Sequence, residues 1–117
     1  MTTKQHEGEA LPANEVRLVG RVSGDPEERV LPSGDRLWSF RIVVARDQPR
    51  GRQTVDALEC VAWSARTRRT VSRWSDGDTV ELSGALRRRF YRTGTATVSR
   101  VEVETTRARI IRRAATA

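Results

Sequence analysis

One stretch decides the fold: Gly77-Asp-Thr-Val-Glu-Leu-Ser-Gly-Ala-Leu-Arg-Arg-Arg-Phe-Tyr91. Its residues alternate as those of a half-buried β-strand do, and the face predicted to be buried carries Val80, Leu82, Gly84 and Leu86. The opposite face continues with Arg87, Arg89 and Tyr91. Guanidinium groups beside an aromatic ring suit a groove for unpaired nucleic acid, because the charge attracts phosphates and the ring stacks on a base. A solvated arginine run beside an isolated aromatic residue explains the same pattern equally well.

The composition indicates a single folded domain. A chain of 117 residues can bury a modest core, and 37% hydrophobic with 32% charged residues is typical of a folded protein. No apolar run approaches the roughly 20 residues of a membrane span. The first six residues also lack a signal-peptide core. We therefore expect a cytoplasmic protein that makes no contact with membranes.

The charge of the chain predicts a polyanionic partner. There are 22 basic and 15 acidic residues, and the formal net charge is +7. Only Lys4 is a lysine, so codon bias accounts for part of the arginine excess. The distribution of the arginines is therefore more informative than their number.

The residues that most enzymes rely on are scarce. Cys60 is the only cysteine and His6 the only histidine, so neither an intrachain disulfide nor a zinc cluster can form. His6 lies in a polar leader, where it cannot act as a positioned base, and Cys60 lies in an alternating run that predicts a buried thiol. We predict no catalytic activity, no metal and no cofactor.

Alternation along the chain predicts five strands. They span residues 14–22 with a short continuation at 27–31, then 36–46, 55–63, the stretch quoted above, and 96–110. In the strand at 36–46, Trp38 lies on the same face as Phe40. We therefore expect Trp38 in the core or at a subunit interface rather than in contact with nucleic acid. Val101 and Val103 are expected to point inward. Trp63 has the phase opposite to Cys60 and is predicted to lie on the outward face.

Residues 64–74 break the alternation and predict one helix, which Ser64 caps and which buries Val71 and Trp74. An all-β chain of five strands, with one short helix between the third and the fourth, has the order of a five-stranded OB-fold barrel. The predicted domain is 14–110, preceded by a flexible leader at 1–13 and followed by a short basic end at 111–117. This fold alone does not determine a function.

Several short motifs resemble, in order, those of bacterial single-stranded DNA-binding proteins. They are Asn14-Glu-Val-Arg-Leu-Val-Gly-Arg-Val22, Asp25-Pro-Glu27, Ser33-Gly34, Phe40-Arg-Ile42, Asp56-Ala-Leu-Glu-Cys-Val-Ala-Trp63, Gly77, Val80-Glu-Leu-Ser-Gly-Ala-Leu86, Arg89, Tyr91 and Val101-Glu-Val103. Each motif is weak alone, but their joint order and spacing are specific. The resemblance extends from residue 14 to about residue 105.

The resemblance implies sequence-independent binding and protection of single-stranded DNA in replication, recombination or repair. It also implies a homo-oligomer, commonly a tetramer, with a dimer as the alternative. Trp63 and Tyr91 fall on stacking positions of the family, and Arg29 and Arg89 fall on positions that are often basic. Further candidates are arginines of the strands, of the loop at 46–52 and of the helix. The predicted DNA-binding residues are therefore Arg29, Arg41, Arg46, Trp63, Arg66, Arg87, Arg89 and Tyr91.

The sequence also departs from the family pattern. Ala57 and Gln48 stand near positions where the family often has aromatic residues, and Glu59 adds a negative charge to the predicted DNA face. The family's main replication members end in a long linker and an acidic tip that recruits other enzymes. This sequence ends in a basic segment, as expected of a tail-less paralogue, a phage or mobile-element copy, or a truncated chain. Recruitment through an acidic tip is therefore not expected.

Two other functions are compatible with the same residues. An OB-fold module that binds RNA, or an accessory module for replication restart, would use similar chemistry. A scaffold would instead use exposed aromatic residues as a hot spot for protein contacts. Competition between DNA and RNA oligomers distinguishes the first alternative, and insensitivity to nucleic acid marks the second.

Overall fold

A computed structural model describes residues 11–115, except the side chains of Tyr91 and Thr93; most of the predicted leader thus lies outside the described residues. The strands are β1 Val16–Val22, β2 Glu27–Val30, β3 Arg36–Ala45, β4 Val55–Ala62, β5 Thr79–Thr93 and β6 Ala96–Arg112, and the helix is α1 Ala65–Val71. No helix in the described part has the length and apolar character needed to cross a bilayer. The chain is therefore mostly β with one short helix, as the sequence predicts.

Five of the strands close into a barrel. The pairing runs β1-β5-β6-β4-β3 and returns to β1, where Arg21 lies opposite Val43 and Val22 opposite Ile42. All of these pairs are antiparallel except β4 with β6. The predicted five-stranded OB-fold barrel is confirmed. The predicted short continuation forms a separate strand, β2, which pairs with β3 outside the closed ring.

The core lies inside this barrel and consists mainly of residues on the strand faces that the alternation predicts to be buried. Its buried side chains include Val22, Phe40, Ile42, Cys60, Val71, Trp74, Val80, Leu82 and Val103. The rings of Phe40 and Trp74 meet edge to face, with centroids 5.4 Å apart. Trp38 is partly buried and packs against this cluster, as its phase predicts. Burial raises the pKa of the Cys60 thiol to about 12, and the charges of Glu59 and Glu102 add to the shift.

The helix has the predicted cap, but it ends at Val71 rather than at Trp74, which packs into the core from the segment that follows the helix. The Ser64 hydroxyl accepts a hydrogen bond from the Thr67 backbone N–H at 3.1 Å. Val71 is fully buried, and only 4% of Trp74 is exposed. The helix therefore closes one end of the barrel core.

Two of the predicted inward positions are wrong. Leu86 and Val101 are 47% and 45% exposed. The reason is the length of the β5–β6 hairpin, which continues to the pair Thr93–Ala96, whereas β1 covers β5 only as far as Gly84. Beyond that point β1 no longer covers β5, and the outer part of the hairpin projects from the barrel.

The end of β6 is attached to the loop that follows the helix. The Asp78 carboxylate, almost fully buried, accepts hydrogen bonds from the backbone N–H groups of Ser75 and Ala114 and from Arg113. Burial acts to raise the pKa of Asp78, but these hydrogen bonds and the charge of Arg113 outweigh it and lower the pKa. The strand itself extends to Arg112, two residues past the predicted domain end.

Candidate nucleic-acid interface

A cleft of about 800 Å³ lies on the outward face of the barrel, where β2, β3 and β4 meet the β5–β6 hairpin. Directly opposed residues of an antiparallel pair share a face. The register places Arg29 opposite Leu37 and Ser39 opposite Val61, so these four side chains share the cleft face. Leu37 and Val61 are only 6% and 4% exposed, so the cleft has an apolar floor.

Trp63 lies at this floor, as its phase predicts. It follows the last residue of β4, lines the cleft and is partly buried. Its indole Nε1 is buried and has no hydrogen-bond partner among the described residues. A buried indole N–H usually finds a partner.

Arg89 covers the Trp63 ring. Its guanidinium carbon lies 4.8 Å from the ring centroid, a cation–π distance. The same guanidinium forms an ion pair with Glu102, of which only 6% is exposed, and lies 3.7 Å from Glu104. The structure thus brings together two of the predicted site residues, and it adds two carboxylates that the sequence analysis did not single out.

Three more of the predicted arginines are also ion-paired. Arg41 contacts Glu59 at 2.6 Å, Arg46 contacts Asp56 at 2.7 Å and Arg87 contacts Glu104 at 3.1 Å. The hydrogen bond between Arg46 and Asp56 raises the pKa of the guanidinium and lowers that of the carboxyl. Because Arg41 of β3 contacts Glu59 of β4, the negative charge of Glu59 is neutralised within this strand pair. These pairs leave less free positive charge here than the sequence suggests.

Several cleft residues were missed by the sequence analysis. Arg29, which was predicted, donates to the Ser39 hydroxyl at 3.1 Å, and Arg88 and Arg92 join it in the cleft lining. Phe90 also lines the cleft and is 67% exposed. In the alternation, Phe90 has the core phase. The exposure of Phe90 could have been predicted from the length of the β5–β6 hairpin. Because the hairpin is longer than β1, side chains on both faces of its outer part are exposed to solvent.

Tyr91 and Arg66 have different positions relative to the cleft. The Tyr91 backbone lies opposite Val98, which lines the cleft, but the Tyr91 side chain lies outside the described residues. Arg66 does not line the cleft and instead borders a second groove between α1 and β6. The eight residues predicted as one site therefore do not all converge.

Comparisons with known proteins agree with this architecture. Residues 13–111 match the model of the Single-strand binding protein family. A single-stranded DNA-binding protein of Halalkalibacterium halodurans is 30% identical over 80 residues, which are 67% of this chain and 48% of that protein. Single-stranded DNA-binding protein A of Bacillus subtilis is 31% identical over 80 residues, with 67% and 46% covered. The chain thus spans about half the length of these relatives.

A solved structure supports the fold. It is described as the Plasmodium falciparum SSB complex with ssDNA, and it superimposes with a TM-score of 0.68 at 20% sequence identity. The match covers 89% of this chain and 97% of that one. At this identity the likeness concerns the fold, and it agrees with the strand order described above.

Proposed function

This chain belongs to the single-strand binding protein family, and we propose that it binds single-stranded DNA, without sequence preference, through the Trp63 cleft. The observation that carries the proposal is Trp63 itself, an indole at the floor of an open cleft bordered by Arg29, Arg88 and Arg92. Aromatic rings beside basic side chains are the common means of binding unpaired strands. We propose a binding protein that acts in replication, recombination or repair, in the cytoplasm and at the nucleoid, and not an enzyme.

Binding begins with electrostatic capture. Arg29 and Arg92 lie in the cleft, and neither has a carboxylate partner within the part of the chain that the structure describes. Phosphates that approach these guanidinium groups release counterions, so affinity falls as salt rises. The ion-paired Arg41, Arg46 and Arg87 take part less directly, because each already neutralises a carboxylate.

Stacking then selects the single strand. A duplex hides its base faces, whereas an unpaired strand can place a base against Trp63. Since Arg89 covers one face of that ring, a base either displaces the guanidinium or stacks on the outer side of it. In both cases Glu102 and Glu104 limit how far Arg89 moves. On the projecting hairpin, the exposed Phe90 offers a further ring, and Tyr91 stays a predicted DNA-binding residue.

A homo-oligomer is part of the proposal. Along β1, residues 16–21 pair with β5, but only Arg21 and Val22 pair with β3 on the other edge. Residues 16–19 therefore present an edge that no strand within 11–115 covers, and such an edge readily pairs with a second chain. This arrangement supports a two-fold dimer, from which a tetramer can assemble. Light scattering after size exclusion, at several protein concentrations, tests the subunit number.

The decisive experiment for DNA binding is a titration of intrinsic tryptophan fluorescence. Oligo-dT and a duplex of equal length are compared at two salt concentrations. We expect quenching by the single strand alone, weaker at high salt. Trp63→Phe should remove most of the quenching, whereas Trp74→Phe, the matched control in the buried core, should retain it.

Absence of binding by the native protein at low salt contradicts the proposed function. Tighter binding of a matched RNA oligomer than of oligo-dT favours the RNA-binding alternative. Quenching that survives in Trp63→Phe contradicts the assignment of stacking to this residue.

A further inference from the structure

A second groove, of about 480 Å³, lies between α1 and the last part of β6. Its origin is topological. β6 pairs with β4 only through residues Val103–Thr105, because β4 ends at Ala62 and the chain turns into the helix. Beyond Thr105, β6 therefore has an edge next to the helix rather than next to a strand. The groove follows this edge.

Guanidinium and hydroxyl groups dominate its polar lining. Arg66 and Thr70 come from α1, Ser83 comes from β5, and Thr106 and Arg107 come from β6. Ser83 lies directly opposite Arg107, so these two side chains share a face. Arg66 and Arg107 are exposed, and neither has an ion-pair partner within residues 11–115. This differs from the paired arginines near the Trp63 cleft.

Glu81 is the one carboxylate among the described residues of the lining, and it does not cancel this charge. Glu81 is contacted by Arg17 at 2.5 Å and by Arg109 at 2.6 Å, so two guanidinium groups surround one carboxylate. Hydrogen bonds from Arg109 and Arg17 lower the pKa of Glu81, which keeps it ionised at neutral pH. With Arg66 and Arg107 added, the groove has an excess of positive charge.

The lining indicates the part of a nucleic acid that fits. Among the described residues, no aromatic side chain borders this groove, so these residues offer no surface for base stacking. Arginine and serine or threonine hydroxyls are the usual donors to phosphate oxygens. We propose that this groove binds the phosphodiester backbone of the strand whose bases occupy the Trp63 cleft. The inference rests on the proposed function and adds to it a second, base-independent contact.

The two contacts are far enough apart to be separated by experiment. Ser83 and Arg89 lie six residues apart on β5, which corresponds to about 20 Å at roughly 3.3 Å per residue. One OB fold covers between about 4 and 16 nucleotides. An oligomer near the lower limit should occupy only the cleft, whereas one near the upper limit should reach the groove as well.

The test measures how affinity for oligo-dT depends on salt, with two groove variants and a matched control. Arg66→Gln and Arg107→Gln each remove one groove charge, and Arg21→Gln removes one exposed charge from β1, outside both sites. For a long oligomer, each groove variant should reduce the slope of log K against log salt by about 0.7, the value for one phosphate contact on a single strand. Arg21→Gln should keep the native slope. For the shortest oligomer that quenches Trp63, all three variants should behave as the native protein does.

An abasic oligomer of the longer length gives an independent reading. Since it has phosphates but no bases, Trp63→Ala should bind it as the native protein does, whereas Arg66→Gln and Arg107→Gln should bind it more weakly. Native slopes in both groove variants, while the native protein binds oligo-dT, would overturn the groove and leave the proposed function intact. A native protein that does not bind oligo-dT at all would instead overturn the proposed function. The groove proposal would also be overturned if Arg66→Gln and Arg107→Gln bound duplex more weakly than the native protein does but bound single strands with native affinity.

Discussion

The Arg89 guanidinium lies 4.8 Å from the centroid of the Trp63 ring, while it also forms an ion pair with the buried Glu102. The two residues come from the ends of different elements, since Trp63 follows β4 and Arg89 lies on the projecting part of β5. Arg89 thus connects the floor of the cleft to the hairpin above it. Glu102 holds it there, because a carboxylate with 6% exposure requires a partner.

Arg89→Gln should therefore lower stability as well as affinity. The change leaves Glu102 buried without its cation, and an unsatisfied buried group costs about 1–3 kcal/mol. We expect the midpoint of thermal unfolding, followed by circular dichroism, to fall. The double variant Arg89→Gln with Glu102→Gln should recover much of this loss, because it removes the unpaired charge. Equal midpoints for the single and double variants would show that the ion pair does not hold this region.

Glu59→Gln should strengthen binding of single-stranded DNA. It removes a negative charge from the cleft lining and releases Arg41, which Glu59 contacts at 2.6 Å. We expect a higher affinity for oligo-dT at low salt and a steeper salt dependence, by about 0.7 in slope if Arg41 gains one phosphate. The matched control is Glu28→Gln, which disrupts the Arg36–Glu28 pair on the other face of the β2–β3 hairpin. An equal gain in both variants would point to net charge rather than to the cleft.

Asp78→Asn should destabilise the protein in a manner that depends on pH. The carboxylate accepts hydrogen bonds from Ser75, Arg113 and Ala114, and their loss should cost about 1–3 kcal/mol at neutral pH. Since the folded-state pKa of Asp78 lies below its unfolded value, the stabilisation is present above the unfolded pKa. It is lost as the pH falls from about 3.9, the ordinary aspartate value, through the folded pKa.

The measurement is urea unfolding of the native protein and of Asp78→Asn, at neutral pH and at steps below pH 4. The difference in the free energy of unfolding should narrow as the pH falls. A difference that is constant over this range would mean that ionisation of Asp78 does not contribute. Arg113→Gln, which removes one of the donors, should reproduce part of the effect at neutral pH.

Gly84→Ala should disrupt the barrel near the point where the hairpin leaves it. A Cβ at this position would lie 1.9 Å from the Glu104 carbonyl oxygen, a backbone atom that cannot move without shifting β6. We expect a loss of about 1–3 kcal/mol or more, as for other overpacked sites. Gly94→Asn is the matched control, because this hairpin glycine has open space around it and asparagine tolerates its positive φ of 59°. A thermal midpoint that falls equally in both variants would contradict the role of close packing at Gly84.

Much of the fold could be predicted because the information for each element is local. Alternation places Val80 and Leu82 inside wherever the strand lies, since successive side chains point to opposite faces. The cap at Ser64 and the spacing of Val71 and Trp74 depend only on neighbouring residues. The outward phase of Trp63 follows from the same rule. The motif order that resembles the family is likewise a property of the chain alone.

The candidate site was predicted less completely. Arg66 and Trp63 are three residues apart in sequence, yet the turn into α1 places Arg66 in a different groove. Phe90 and Leu86 are exposed because β5 extends past the barrel, which depends on where β1 ends. The ion pairs of Arg41, Arg87 and Arg89 depend on which strand lies beside which.

The sequence by itself determined the strands, the helix, their order and the apolar faces, because periodicity and capping act over a few residues. Only the tertiary structure decided which charges remain available to a ligand. Glu59 is eighteen residues from Arg41, and Glu102 is thirteen residues from Arg89. Such partners meet through the register of neighbouring strands, which the alternation within one strand does not set. The Trp63 cleft and the Arg66–Arg107 groove have different lining residues, so the residues predicted as one site lie on two surfaces.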